Sequence, residues 1–196
     1  MEIEKIKKAL TESAKVKMMM ADTMAERIGE VAEALAATIR SGGKAIFCGN
    51  GGSAADSQHL ATELVVRLSG NNNRKALAAI ALTTNSSILT ACANDFGFDE
   101  IFARQIEALG APGDILFAIS TSGNSENVIR ATKAAKRIGL VTVGFLGCGG
   151  GKLAGLVDYA LVIPSDDTQR VQEGHIAMGH IIIASMEQIL GLGSAR

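Results

Sequence analysis

Hydrophobic residues follow one period in the first 40 residues and a different one in the rest of the chain. In the first part they recur at every third or fourth position, which predicts amphipathic helices. These positions are Ile3, Ile6, Leu10, Ile28, Val31, Leu35 and Ile39. Ser41-Gly42-Gly43 ends the helical pattern, as glycine commonly does after a helix. The pattern therefore predicts two helices, forming an N-terminal α-helical hairpin within residues 1–40.

After residue 43, short apolar runs alternate with helical patterns. The runs are Lys44–Cys48, Leu77–Leu82, Asp114–Ile119, Leu140–Leu146 and Asp158–Ile163. Continuous apolar strands separated by helices are typical of a parallel sheet covered on both faces. We therefore predict an α/β fold, a three-layer αβα sandwich with a five-stranded parallel sheet, whose ligands bind at the carboxyl edge of the strands.

Composition and charge narrow the classes of partner. Hydrophobic residues make up 47% of the 196 residues and charged residues 20%, which argues against disorder. With a formal net charge of -1, the protein has no overall positive electrostatic potential that would attract nucleic acid or an anionic membrane. The three cysteines lie far apart, without a CxxC pair, and the N-terminus resembles no signal peptide or membrane span. We expect a cytoplasmic protein with residues 1–196 forming one domain.

A glycine-rich turn, Cys48-Gly49-Asn50-Gly51-Gly52-Ser53, joins the first apolar run to a helical pattern. Its glycines allow the backbone to approach a ligand, and the amides of the following helix attract phosphate or carboxylate. His59, Glu63 and Arg67 follow at four-residue spacing, so on one helix they share a face. The first two border the apolar stripe, which predicts partial burial. A His-x-x-x-Glu pair suits a zinc site or a catalytic base, and a surface polar pair explains the same spacing.

A second turn, Ser120-Thr121-Ser122-Gly123-Asn124-Ser125, precedes the helical run Glu126–Ile138. Four hydroxyls at one helix start suit the terminal oxygens of a phosphate monoester. Ordinary N-capping by Ser125 is the alternative, and it explains one serine but not four hydroxyls. A nucleotide is disfavoured, because the dinucleotide fingerprint expects an acidic residue after the second strand, where Thr83-Thr84-Asn85 stands.

The last helical stretch carries two of the three histidines, His175 and His180. They lie five residues apart, about 140° around a helix, so they cannot both serve one site. Gln172 and His180 are roughly 12 Å apart along the axis, which two long side chains would just bridge through a metal. That spacing permits a metal site without requiring it, and the role of His175 stays open.

Together with Ala93-Asn94-Asp95-Phe96-Gly97-Phe98 and Arg170-Val171-Gln172-Glu173, these motifs resemble those of the phosphoheptose isomerases, which have the flavodoxin-like sugar-isomerase (SIS) fold. The resemblance covers nearly the whole chain in order. It implies that sedoheptulose 7-phosphate is converted to D-glycero-D-manno-heptose 7-phosphate, for the heptose of bacterial surface polysaccharide. It also implies a homotetramer with active sites between subunits, in which residues 1–40 would serve oligomerisation. Met18-Met19-Met20 would be covered there, unless these methionines pack on the chain's own core.

The resemblance also assigns individual residues. It implies one zinc per subunit held by His59, Glu63, Gln172 and His180, with Glu63 and His180 as the acid/base pair. The substrate-binding residues that it implies are Asn50, Gly51, Gly52, Ser53, Glu63, Arg67, Asn94, Asp95, Ser120, Thr121, Ser122, Ser125 and Gln172. Gln169 departs from the pattern, because relatives carry aspartate there. The alternative is a non-catalytic SIS adaptor that binds the replication initiator. Such proteins typically lack the equivalents of Glu63 and His180, so retention of both favours the isomerase.

Overall fold

A computed structural model describes residues 2–192, in which helices and strands alternate after a long first helix. The helices in this range are α1 (Ile3–Arg40), α2 (Gly52–Val65), α3 (Ser86–Phe96), α4 (Ala103–Leu109), α5 (Glu126–Ile138) and α6 (Thr168–Ile189). The strands are β1 (Ala45–Gly49), β2 (Ala79–Ala81), β3 (Ile115–Ser120), β4 (Val141–Leu146) and β5 (Tyr159–Val162). Short 3₁₀ turns lie at Phe98–Glu100 and Cys148–Gly150.

The five predicted strands are confirmed within the described residues, and they form one sheet in the order β2-β1-β3-β4-β5. Every adjacent pair is parallel, with Gly49 opposite Ile119 and Ser120 opposite Leu146. This is the flavodoxin-like order, in which the winding direction changes between β1 and β3. The turns that follow β1 and β3 are therefore neighbours at the carboxyl edge of the sheet.

Both faces of the sheet are covered by helices, which confirms the three-layer αβα sandwich. Side chains alternate between faces along each strand. Phe47, Phe117 and Phe145 point to the face covered by α1, α2 and α6, and the rings of Phe47 and Phe117 stack with centroids 4.9 Å apart. Ile46 and Leu116 point to the opposite face, toward the second hydrophobic core cluster. Because α2 and α6 lie on the same face, their polar side chains are able to meet.

The predicted N-terminal hairpin is wrong, because α1 is one continuous helix of 38 residues. Residues 11–27 contain no glycine or proline that would break it. Val16 and Met24 continue the buried stripe across the place where a turn was expected. The helix ends before Gly42, whose φ of 85° is a conformation that glycine adopts without strain.

The methionine run divides between the core and the surface. Met20 is buried in the core, whereas Met18 and Met19 are 67% and 47% exposed. The prediction that residues 1–196 form one domain stays a prediction, and its ends, residue 1 and residues 193–196, lie outside the described residues. Among the helices described, none combines the length and apolar character needed to cross a bilayer.

Candidate active site

Three polar side chains from α2 and α6 meet on one face of the sheet. Nε2 of His59 lies 2.8 Å from Nε2 of His180 and 3.2 Å from Oε1 of Glu63. All three residues place a possible ligand atom within 4.8 Å of the others. Glu63 is partly buried, with 15% of its side chain exposed, as the apolar stripe predicted, but His59 is 47% exposed. We call His59, Glu63 and His180 the carboxylate–imidazole cluster.

A glycine in α6 allows the two helices to approach closely enough for this cluster. A Cβ atom added to Gly179 would lie 2.5 Å from Cδ2 of Leu60 on α2, far inside van der Waals contact. Leu60 is 1% exposed, so it has little room to move away. The neighbours of these two residues in sequence, His59 and His180, therefore lie directly across the helix interface.

Arg67 does not share the helix face of His59 and Glu63, so that prediction is wrong. The helix α2 ends at Val65, and Val66 has left helical geometry with a ψ of -81°. Arg67 is exposed in the following segment, where its Nη1 donates a weak 3.4 Å hydrogen bond to the Gly70 carbonyl. The periodic spacing could not predict this end, because the last carbonyls of α2 accept hydrogen bonds from Arg74, which lies further along the chain.

The first glycine-rich turn adopts the conformation that its glycines allow. Gly51 has a φ of 57° at the start of α2, and Ser53 is buried in the first turn of that helix. The amide of Gln172 lies directly over Gly52, where any Cβ atom would overlap it. Gln172 thus contacts the start of α2, and its assignment as a metal ligand stays a prediction.

The two turns are joined by a reciprocal pair of amides. Nδ2 of Asn50 donates to Oδ1 of Asn127 at 2.9 Å, and Nδ2 of Asn127 donates back to Oδ1 of Asn50 at 2.9 Å. Asn127 is buried in the first turn of α5. No sequence motif marks Asn127 as functional, although it lies only two residues after the hydroxyl-rich turn. The pair sets the spacing between the starts of α2 and α5.

The hydroxyl-rich turn, Ser120–Ser125, leaves the start of α5 without a side-chain cap. Ser125 occupies the N-cap position, but its Oγ lies 3.0 Å from Oγ of Ser120. The alternative of ordinary N-capping by Ser125 is therefore wrong. Thr121 is half-buried, and the exposed Ser122 accepts a 3.2 Å hydrogen bond from the Asn124 amide. Uncapped amides and hydroxyls at a helix start suit an anion such as phosphate.

A second loop packs against this turn through glycines. Gly123 has a φ of 64°, and any Cβ there would overlap the carbonyl of Gly150. A Cβ on Gly151 would lie 2.5 Å from the carbonyl of Ser122. The amide of Leu153 also donates to the carbonyl of Gly123 at 3.0 Å. Close contact with the hydroxyl-rich turn thus explains the glycine at position 151, whereas a Cβ atom on Gly150 would meet Ala154 and Gly149 has open space around it.

Two further titratable groups are buried near these elements. His175 is fully buried, and its Nε2–H donates to the carbonyl of Leu146 at 3.0 Å. Burial lowers the pKa of His175 from 6.5 to about 4, so the ring is neutral at pH 7. Burial raises the pKa of Asp56 to about 6, against the opposing effect of His59, and its Oδ2 has no hydrogen-bond partner among residues 2–192. His175 ties α6 to the end of β4, opposite Ser120.

Asn94 and Asp95 lie apart from the groups described so far. Both are exposed near the end of α3, where Nδ2 of Asn94 donates to Oδ1 of Asp95 at 2.8 Å. Asp95 borders a surface groove shared with Phe96 and Arg104. No hydrogen bond or ion pair described within residues 2–192 joins them to the carboxylate–imidazole cluster. Their assignment to the substrate stays a prediction.

The donor set of the cluster fits a metal ion such as zinc. Two imidazole nitrogens and one carboxylate oxygen converge there, and zinc commonly takes three protein ligands of these types at a catalytic site. Nε2 of His59 and Nε2 of His180 lie at hydrogen-bond distance, so one ring donates a proton to the other. With both nitrogens deprotonated, the same pair could bind a cation instead.

Comparisons with known proteins agree with this architecture. The family model described as "SIS domain" matches residues 10–147. The phosphoheptose isomerase of Aquifex aeolicus is 49% identical over 188 residues, which cover 96% of this chain and 97% of that protein. Solved structures of phosphoheptose isomerases from Neisseria gonorrhoeae and Francisella tularensis superpose with TM-scores of 0.88 and 0.91, at 40% and 34% identity. They match over 94% and 95% of this chain and 98% of each of theirs.

The relatives match this chain over nearly their whole length, and none of those named here is described as an adaptor. This chain therefore combines the SIS fold with the two turns and the carboxylate–imidazole cluster. The chain belongs to the phosphoheptose isomerase family of SIS-domain proteins.

Proposed function

We propose that this chain converts sedoheptulose 7-phosphate to D-glycero-D-manno-heptose 7-phosphate. The observation that carries this proposal is that Glu63 and His180, which lie on helices far apart in sequence, converge within 4.8 Å. Aldose–ketose isomerisation needs a base and an acid acting on adjacent carbon and oxygen atoms. A carboxylate and an imidazole at this separation are suited to that task.

The two parts of the site correspond to the two ends of the substrate. The hydroxyl-rich turn would hold the phosphate through the amides of α5 and the hydroxyls of Ser120, Thr121, Ser122 and Ser125. His59 and Glu63 lie roughly 10 and 16 Å along α2 from its start at Gly52. A sugar phosphorylated on its seventh carbon carries its reacting first and second carbons at the opposite end of the molecule. The cluster thus lies well along α2 from a helix start that the Asn50–Asn127 pair links to the start of α5, which supports this orientation.

Glu63 would take the proton from the first carbon of the ketose, and His180 would protonate the oxygen on the second carbon. The intermediate is then an enediol. A proton is then returned to the second carbon, and the oxygen on the first carbon loses its proton, which gives the aldose. No atoms are gained or lost, and the same two groups serve both directions. Asn50, Gly51, Gly52, Ser53, Arg67, Asn94, Asp95 and Gln172 are the further substrate contacts that we propose.

We propose zinc as the metal, held by His59, Glu63 and His180, with Gln172 as a further ligand. With zinc bound, proton transfer would have to use the carboxylate oxygen of Glu63 and the ring nitrogen of His180 that do not bind the metal. When bound, zinc would polarise the oxygens of the sugar as a Lewis acid. This part of the proposal is supported by the donor set described above. It is tested by metal analysis of the purified protein and by titration of the metal-free protein with zinc.

The remaining proposals concern the setting of the reaction. We propose a homotetramer with active sites between subunits, and the exposed Met18 and Met19 on α1 support burial in such an assembly. The net charge of -1 supports a protein without nucleic-acid or membrane partners, and three distant cysteines without a CxxC pair support a cytoplasmic location. Its product would supply heptose for bacterial surface polysaccharide.

The decisive experiment is an assay of the purified chain with sedoheptulose 7-phosphate, in the presence and absence of zinc, with the aldose product detected directly. We expect turnover of the heptulose phosphate. Absence of turnover under all metal conditions would reject the isomerase and favour the adaptor. Loss of turnover on removing metal, with recovery on adding zinc, would support the metal proposal separately from the reaction.

A further inference from the structure

A buried ion pair joins the segment after α2 to the last helix. The side chains of Arg74 and Glu187 are 2% and 7% exposed, and Nε of Arg74 lies 2.5 Å from Oε1 of Glu187. Oε2 of Glu187 accepts a second hydrogen bond, at 2.8 Å, from Nδ2 of Asn72. Both carboxylate oxygens are therefore occupied, and the pair has one defined geometry.

The same arginine caps the end of the helix that carries Glu63. Nη2 of Arg74 donates to the carbonyl of Glu63 at 2.7 Å, and Nη1 donates to the carbonyl of Leu64 at 2.9 Å. A cation at a helix C-terminus also interacts favourably with the helix dipole. The planar guanidinium fixes the directions of these donors, which a lysine would not do. Arg74 thus holds the backbone of Glu63 itself.

Glu187 stands two turns beyond His180 on the same helix. Seven residues return to nearly the same face of a helix, about 10 Å further along its axis. The contact between α2 and α6 therefore has three successive points on these helices. They are the His59–His180 pair, the close approach of Gly179 to Leu60, and the Arg74 bridge from the end of α2 to Glu187.

We propose that Arg74 and Glu187 are positioning residues that set the spacing of α2 and α6, and so the geometry of the carboxylate–imidazole cluster. This inference rests on the proposed role of that cluster in metal binding and catalysis. A buried ion pair contributes little net stability compared with apolar side chains of the same volume. The directional bonds of Arg74 to the backbone of Glu63 and to Glu187 on the helix of His180 fix the relative position of the two helices. Apolar packing would not fix it in this way.

The test is Glu187→Gln, with Asp114→Asn as the matched control. Asp114 is also a buried partner in an ion pair, 2.6 Å from Nζ of Lys44, but it lies at the amino ends of β1 and β3. Both variants remove a buried carboxylate from a close ion pair, although the cation left behind is 2% exposed for Arg74 and 30% exposed for Lys44. Only Glu187→Gln is expected to disturb the cluster.

Three readouts separate positioning from stability. Zinc affinity of the metal-free protein should weaken about 10–100-fold in Glu187→Gln, the range found for residues that orient metal ligands. Its kcat should fall by a similar factor with KM little changed, because the phosphate turn is untouched. In nitrogen-15 histidine spectra of the metal-free protein, the signals of His59 and His180 should shift while that of His175 stays in place. Asp114→Asn should leave all three readouts at wild-type values.

The double variant Arg74→Met/Glu187→Leu removes both charges. It leaves no unpaired charge in the core, so it should fold even if Glu187→Gln does not. We expect it to fold and yet to keep the weakened zinc affinity and the shifted histidine signals. Wild-type values for either folded variant would overturn the inference. If the wild-type chain neither bound zinc nor turned over substrate, the proposed function would fail, and the histidine signals alone would then decide whether this pair positions the cluster.

Discussion

The hydroxyl-rich turn and the carboxylate–imidazole cluster are built in opposite ways. The turn consists of six consecutive residues, Ser120–Ser125, from the last residue of β3 to the residue before α5. The cluster joins His59 to His180 across 121 residues of sequence. The turn depends on local conformation, on the amides of one helix and on the glycines packed against it. The cluster depends on how two helices pack, so changes far from it in sequence are able to move it.

The two regions also differ in the chemistry that they offer. The turn presents neutral donors that suit any phosphate monoester, whereas the cluster presents groups that exchange protons. Damage to the turn should therefore appear mainly in KM, and damage to the cluster mainly in kcat. The following substitutions test that division, beginning with the largest expected effect.

Glu63→Gln should lower kcat by about 10²–10⁴, the usual contribution of a general base. The amide keeps the size and an oxygen for the metal, but it takes no proton. The measurement is steady-state turnover of sedoheptulose 7-phosphate, with zinc content determined on the same preparation. Glu107→Gln, an exposed position on α4, is the control and should leave turnover unchanged. Unaltered kcat in Glu63→Gln would remove this carboxylate from the mechanism.

Gly123→Ala should damage the turn through the backbone. A left-handed non-glycine residue costs about 1–2 kcal/mol, and the overlap with Gly150 adds about 1–3 kcal/mol by overpacking. We expect a lower free energy of unfolding in urea together with a raised KM. Gly29→Ala, in the middle of α1 with open space at its Cβ, should instead stabilise the protein by about 0.5–1 kcal/mol. Equal effects at both positions would contradict the packing of the two loops.

His175→Asn tests a buried residue linked indirectly to both regions, since it lies on the helix of His180 and donates to the carbonyl of Leu146, the strand partner of Ser120. The pKa of His175 is lowered in the folded state, so the unfolded chain binds the proton more tightly. Wild-type stability should therefore be complete above about pH 6.5 and fall by up to about 3 kcal/mol as the pH drops to about 4. Asparagine keeps a donor but does not titrate, and so removes this loss.

The measurement for His175→Asn is urea unfolding of both proteins at several pH values between 7 and 4. Asp56, whose pKa is raised, acts in the opposite direction, because its folded form holds a proton that the unfolded form releases. Its contribution is common to both proteins and cancels in their difference. Parallel stability curves for wild type and variant would contradict a buried neutral His175.

Ser125→Ala should produce the smallest change and only in binding. Loss of one hydrogen bond to a charged phosphate costs about 1.5–3 kcal/mol, or roughly 10–100-fold in KM, with kcat little altered. Ser87→Ala is the matched control, since Ser87 is an exposed serine in the first turn of α3. A fall in kcat with constant KM for Ser125→Ala would break the division between the two regions.

Much of the fold and of the turn was predictable because the relevant signals are local. The five apolar runs became the five described strands, and the helical run Glu126–Ile138 was confirmed at both ends. The hydroxyls and glycine of Ser120–Ser125 indicated their place at the start of a helix. The failures have two different causes. The hydrophobic spacing predicts two helices where α1 is unbroken, and it does not predict the end of α2 before Arg67 because Arg74, further along the chain, caps that end.

The amino-acid sequence by itself determined the strands, the glycine turns and the residue types able to move a proton, because each depends on neighbours within a few positions. Only the tertiary structure decided that α2 and α6 share one face of the sheet. It therefore also decided that Glu63 meets His180, that Gln172 lies on Gly52 and that Arg74 reaches Glu187. The physical reason is that contacts between helices depend on strand order and on the close packing of whole layers, which no short spacing records.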